Sequence, residues 1–198
     1  LHRLALQERP ATAARSAGRE GSRTPPRGRD QQRWQPARPR MLVLTPTREL
    51  ALQVTAASEK YGRRMHQMRA VAILGGMPYP KQMELLGRNP EILVATPGRL
   101  IDHMSSGKID FAQLQMLILD EADRMLDMGF IDDIERIVAA TPDSRQTMLF
   151  SATLDGTVGV MAQRMTRNAL RIEVDAPSAR HENIEQRMHF VDDLAHKN

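Results

Sequence analysis

The sequence predicts an α/β domain with a mostly parallel sheet flanked by helices, and three observations carry that expectation. First, short apolar runs recur along the chain: MLVLTP (41–46), RAVAILGG (69–76), EILVATPGR (91–99), MLILDEAD (116–123), TMLFSAT (147–153) and LRIEV (170–174). Second, these runs are apolar throughout rather than alternating, which suits strands buried on both faces, as in parallel sheets. Third, the stretches between them, such as TRELALQVTAASEKYGRRM (47–65) and IDDIERIVAAT (131–141), repeat apolar residues at three- and four-residue spacing. That is the helical period. Strand–helix alternation of this kind implies a layered α/β domain.

The chain before these runs reads differently. Residues 1–7, LHRLALQ, suit the tail of an amphipathic helix with Leu1 and Leu4 on one face. Residues 8–40 turn to Arg, Pro, Gly, Ala and Ser, and SRTPPRGRD lies within them. Such a stretch buries too little apolar surface to offset its ordering entropy, so disorder is expected across it. The first 40 residues hold ten arginines against three acids, whereas the remaining 158 hold 18 basic and 21 acidic residues. The overall charge of +4 is thus an average over a basic arm and a mildly acidic folded part. An arginine-rich arm suits a polyanion such as RNA, although a merely solvated insertion has the same composition.

Several classes are excluded or disfavoured. The chain has no cysteine, so it forms no disulfide-linked partnership and no thiolate metal site. No apolar run approaches the roughly 18 residues that a membrane-spanning helix needs. LHRLALQERP carries no signal-peptide core. The expectation is a soluble, cytoplasmic protein without a membrane partner.

Chemistry gathers at the strand ends. Four of the runs finish in small or polar residues: Thr45-Pro46, Thr96-Pro97-Gly98, Asp120-Glu121 and Ser151-Ala152-Thr153. Ligands of open parallel sheets bind outside the carboxyl ends of the strands. Any one tip could simply terminate a strand or cap a helix; four in one domain suggest a site. The stretch LILDEADRML (117–126) poses the sharpest question, because the apolar run from Met116 to Leu119 leads straight into Asp120 and Glu121. A carboxylate at the end of a buried strand needs a cation or hydrogen bonds. An apolar strand ending in Asp-Glu reads as a Walker B element, with Asp120 on Mg²⁺ and Glu121 orienting the water that attacks a γ-phosphate. Mg²⁺ prefers few protein carboxylates, which fits a single Asp. The plainer alternative is a helix N-terminus favoured by nearby acids.

Here the sequence resembles the DEAD-box ATP-dependent RNA helicases. PTREL (46–50), the pair Gly75-Gly76, TPGR (96–99), DEAD (120–123) and SAT (151–153) stand in the family's order. The resemblance covers residues 41–176 and implies part of the first RecA-like domain, a P-loop NTPase fold. Residues 177–198 resemble the interdomain linker and the start of a second RecA-like domain. It implies ATP and Mg as cofactors, with Asp120 as the metal ligand and Glu121 positioning the hydrolytic water. Asp123, Ser151 and Thr153 would complete the catalytic set and couple it to the second domain. Pro46, Thr47, Arg48, Gly75, Gly76, Thr96, Pro97, Gly98 and Arg99 would face RNA. Glycines permit close backbone approach, helix N-termini offer amides and arginines bind phosphate bidentately, so the grip should be independent of sequence.

One part of that pattern finds no match within residues 1–198. A phosphate-cradling loop has the form G-x-x-x-x-G-K-[ST]. The Gly107-Lys108 pair is followed by Ile109 and has Asp102 where the first glycine should stand, so it reads as a surface turn. LHRLALQ resembles the end of the helix that follows such a loop. The expectation is an incomplete domain, inactive as an ATPase by itself, with LRIEV detached from the sheet or closed against the TMLFSAT strand. The competing readings are an ATP-independent RNA-binding or adaptor module and a P-loop ATPase of another kind. PTREL and TPGR in order argue against the latter.

Overall fold

A computed structural model describes residues 34–65, 68–154 and 156–174. Five strands alternate with helices: β1 (Met41–Leu44), α1 (Arg48–Gly62), β2 (Ala70–Ile73), α2 (Tyr79–Gly87), β3 (Ile92–Ala95), α3 (Pro97–Ser105), β4 (Met116–Leu119), α4 (Ala122–Asp127), α5 (Ile131–Ala139), β5 (Gln146–Leu149) and α6 (Gly156–Met165). All neighbouring strands are parallel, and their order is β2-β3-β1-β4-β5. The register is in step: Leu44 stands beside Ala95 on one side and Leu119 on the other. Every chain therefore leaves the sheet at one level.

Continuous apolar character has its physical outcome in β1, β2 and β3, which are buried along their whole length. Alternate residues feed two cores. Leu42, Leu44, Leu93 and Leu117 face a layer holding Leu86, Leu100, Met125, Ile134 and Met161 from α2 to α6. Met41, Val43, Ile92, Val94 and Met116 face the opposite layer, to which α1 contributes Ala51 and Val54. Strand β5 lies at the sheet edge and is only partly covered.

Two expectations need correction. The expected disorder over 8–40 does not hold for its last part. Ala37 is buried, its N–H donates to Lys108 O at 3.0 Å, and its carbonyl accepts from Asp110 N–H at 2.9 Å. Arg38 binds the Asp110 carboxylate at 2.9 Å, and its N–H donates to Asn89 Oδ1 at 2.8 Å. A few backbone bonds anchor these residues without needing apolar mass, so composition does not reveal them. Second, the compact unit closes at Arg167 rather than 176. LRIEV, expected to be detached from the sheet or closed against the TMLFSAT strand, is neither strand nor helix, and Leu170, Ile172 and Val174 are exposed. The expectations for 1–7, 8–33 and 177–198, including the helix remnant and the linker, lie outside the described residues.

Candidate functional site

The in-step register brings every expected site residue to the carboxyl edge of the sheet. Across that edge the tips follow the order Gly75-Gly76, TPGR, PTREL, DEAD, SAT, because the strands follow the order β2-β3-β1-β4-β5. Pairing continues into the tips. Thr96 N–H donates to Ile73 O, Thr45 to Ala95 O, Asp120 to Leu44 O and Phe150 to Leu119 O. The sheet thus sorts the residues into two halves: the expected RNA-facing set on β2, β3 and β1, and the expected catalytic set on β4 and β5.

In the second half, Asp120 stands half-buried at the end of β4, and its Oδ1 accepts from Glu121 N–H at 3.1 Å. Burial pushes its carboxyl above the ordinary carboxylate range, opposed by that hydrogen bond and helped by the neighbouring Glu121 charge. Asp120 closes one end of a groove of about 520 Å³ between α1 and the sheet, lined by Val54, Tyr61, Ile118, Met148 and Phe150 among others. Glu121 adopts φ 50°, ψ 55°, a left-handed conformation that costs a non-glycine residue roughly 1–2 kcal/mol. This abrupt turn converts the strand into α4 and separates the directions of the two acids. The Glu121 carboxylate meets Arg124 at 3.2 Å. Asp123 reaches across to β5: its Oδ2 accepts from Ala152 N–H at 3.2 Å. Ser151 Oγ accepts from Thr153 N–H at 3.3 Å. The DEAD and SAT tips are therefore joined by a side chain rather than merely adjacent. Among the described residues no group of three or more His, Asp or Glu side chains forms a metal cage.

The first half is built from backbone. Thr47 caps α1, its Oγ1 accepting from Leu50 N–H at 3.2 Å, and Pro46 is buried. Those two residues shape the turn, while Arg48 is exposed. Helix α3 begins at Pro97 with no side chain capping it, so its first amides point outward at the positive end of the helix. Arg99 in that turn lies 3.7 Å from Asp102, a loose pair that leaves it able to reach an anion. The two glycines differ. Gly76 has φ +75°, and a Cβ there would meet Arg48 Nη1 at 2.5 Å; a Cβ on Gly75 would meet nothing within 4 Å. Gly76 is thus required by the turn itself, and Gly75 leaves open space. Gly107 also has positive φ and ends α3 as the expected surface turn.

Sequence reading missed the polar pair beneath this loop. Gln82 and His103 are both fully buried, and His103 Nε2 lies 3.1 Å from Gln82 Oε1. A Gln or His on a helix looks like solvent-facing polarity, and a signal existed only in their apolar neighbours.

Comparison with known proteins agrees with this geometry. The sequence profile of the DEAD/DEAH box helicases matches residues 30–159. The chain is similar to the ATP-dependent RNA helicase DeaD of Mycobacterium tuberculosis, with 43% identity over 148 residues, 75% of this chain and 26% of that protein. It is also similar to the ATP-dependent RNA helicase DbpA of Escherichia coli, 44% identical over 138 residues, 70% of this chain and 30% of that one. Among solved structures, a hypothetical ATP-dependent RNA helicase from Sulfolobus tokodaii superposes with a TM-score of 0.61 at 44% identity, covering 66% of this chain and 39% of that one. The yeast DEAD-box splicing factor Prp28 gives a TM-score of 0.60 at 31% identity, covering 65% of this chain and 31% of that one. The chain spans about a quarter to a third of the curated relatives it matches.

Proposed function

The chain belongs to the DEAD/DEAH box helicase family, and from that premise we propose that it supplies one RecA-like half of an ATP-dependent RNA helicase. In this reading its β2, β3 and β1 tips hold the RNA backbone, and its β4 and β5 tips serve ATP hydrolysis and duplex unwinding. The observation that carries the reading is the sorting of the two sets onto contiguous halves of one sheet edge. Through it, one rigid element touches both ligands.

Within the first half, the amides of the α3 N-terminus, with Arg99 and Arg48 beside them, bind phosphate oxygens. Gly75 admits the backbone closely, and none of the set reads a base edge. Within the second half, Asp120 suits a magnesium ion: it is a half-buried carboxylate, raised by burial, at the end of an open groove. With ATP bound, such an ion would supply neutralisation of negative charge on phosphate. Asp120 would hold that ion, and Glu121 would orient the attacking water and accept its proton. Asp123, by holding the SAT turn, transmits the position of the acids to Ser151 and Thr153, which face whatever docks on that side.

The test is RNA affinity. Two single-stranded RNAs of unrelated sequence should bind alike, and Arg99→Ala should weaken both by about tenfold, the effect of one lost charge-assisted contact. A strong preference for one RNA, or wild-type affinity in the variant, would overturn the reading. The alternative reading is an ATP-independent RNA-binding or adaptor module. It rests on the arginine-rich arm together with the β2-β3-β1 half, whose geometry does not depend on the acids.

A further inference from the structure

Beneath the Gly75-Gly76 turn lies a polar cluster that neither half of the site uses directly. Gln82, on α2, donates through Nε2 to Met77 O at 2.7 Å and to Leu74 O at 3.3 Å. Those carbonyls flank the two glycines. With both amide hydrogens spent, Gln82 Oε1 accepts, so His103 carries its proton on Nε2 and donates it at 3.1 Å. Tyr79 stacks on the His103 ring at 4.9 Å, with the planes 10° apart. His103 Nδ1 is left buried with no partner. His103 sits in the last turn of α3, whose first turn is TPGR. A continuous buried path therefore runs from the Gly75-Gly76 turn through Gln82 to α3. On the outer side of the same turn, the Arg48 guanidinium occupies the space a Gly76 side chain would need.

Two fully buried polar side chains in an apolar layer are costly to desolvate, and apolar residues of like volume would fill the space without that cost. Gln82 spends its donors on one loop, and His103 bonds Gln82. We propose that Gln82 and His103 are positioning residues for RNA binding, which fix the 74–77 turn to α3 so that the glycine turn and the TPGR helix present one preformed backbone-binding surface. The proposal rests on the reading that these tips bind RNA. Preformation matters because a loop that must be ordered on binding subtracts its entropy from the affinity.

Gln82→Met keeps the volume and removes the donors. His103→Phe keeps the stack on Tyr79 and removes the Nε2 bond, and His103→Gln restores a donor. In the full chain, both loss variants should speed amide hydrogen exchange at Gly75, Gly76 and Met77 while β1 and β3 keep their protection. Both should weaken binding of a single-stranded uridine oligonucleotide by about three- to tenfold, and His103→Gln should recover most of it. Arg99→Ala is measured alongside. If Arg99→Ala weakens binding while the loss variants leave both exchange and affinity at wild-type values, the positioning role is wrong and the RNA-facing reading stands. If Arg99→Ala also binds normally, that reading falls and takes the proposal with it. If a loss variant unravels the strands as well as the turn, the pair is structural rather than positioning, and the proposal fails.

Discussion

At the scale of the residue, Gly75-Gly76 shows how one dipeptide carries two requirements. Gly76 answers to the fold, through a positive φ and the neighbouring Arg48; nothing in the fold demands glycine at 75. Gly76→Ala should lose about 1–2 kcal/mol of stability, seen as a lower urea midpoint, whereas Gly75→Ala should stay within about 0.5 kcal/mol of wild type and weaken RNA binding. A reversed pattern would remove the case for close RNA approach at 75. Asp120 makes a second prediction. Burial raises its carboxyl, so the folded state holds the proton more tightly than the unfolded chain, whose value is about 3.9. Stability then falls as pH rises through the window above that value, and at pH 7 the charge is destabilising. Without added metal or nucleotide, Asp120→Asn should raise Tm at pH 7 by about 2 °C, a modest gain for a domain of this size. The gain should shrink as pH is taken below about 4; a lower Tm at pH 7 would mean the carboxylate holds structure together. The acids themselves were legible in the sequence, because a buried strand ran into them. The left-handed turn at Glu121 was not, since nothing about a Glu announces φ 50°.

At the scale of the element, legibility followed burial. The runs forming β1 to β4 were readable because both faces of each strand are covered, so their composition had no polar alternation to confuse it. LRIEV has similar composition and forms no strand; apolar character provides the material for a strand, and only a partner provides the ladder. The segment 34–40 was misread for the opposite reason, since its order rests on buried Ala37 and Pro39, the Arg38–Asp110 pair and a few backbone bonds. Deleting residues 1–33 should leave the thermal transition within about 2 °C of wild type, whereas deleting 1–40 should lower it by about 5 °C or more, as loss of a buried bridge implies. Equal transitions for the two deletions would show that the bridge adds nothing. The α2–α3 pair carries its own pH signature. Desolvation first, then Arg99 and Lys108, hold His103 below its usual value, against the pull of Asp102. The unfolded chain therefore takes up the proton first, and stability is lost as pH falls below about 6.5. Thermal scans at pH 7.5 and 5.5 should show a smaller drop for His103→Gln than for wild type. An equal drop would mean other groups carry it.

At the scale of the molecule, charge and topology point in different directions. The motif edge lies at the carboxyl ends of the strands, while residues 34–40 join the fold at their amino ends, where Gln115 N–H donates to Arg40 O and Arg40 N–H to Glu91 O. Residues 34–40 thus enter the fold on the side away from the surface proposed to hold RNA. Residues 1–198 contain no phosphate-cradling G-x-x-x-x-G-K-[ST] match, and arginine fingers supplied from elsewhere add roughly 10³–10⁵ to phosphoryl transfer. This polypeptide on its own should therefore show no RNA-stimulated ATP turnover. Steady turnover abolished by Glu121→Gln would refute that. RNA binding should survive, in two separable parts. Each phosphate neutralised by an arginine contributes about 0.7 to the slope of log affinity against log salt for single strands. Deleting residues 1–33 should lower that slope by several such steps, whereas Arg99→Ala should lower it by about one. Because the described fold begins at residue 34, on the amino-end side of the strands and away from Arg99, the two effects on binding free energy should add within about 0.5 kcal/mol in the double variant. Strong non-additivity would mean the arm and the motif edge grip the same phosphates, and so that the arm folds back across the domain to reach them.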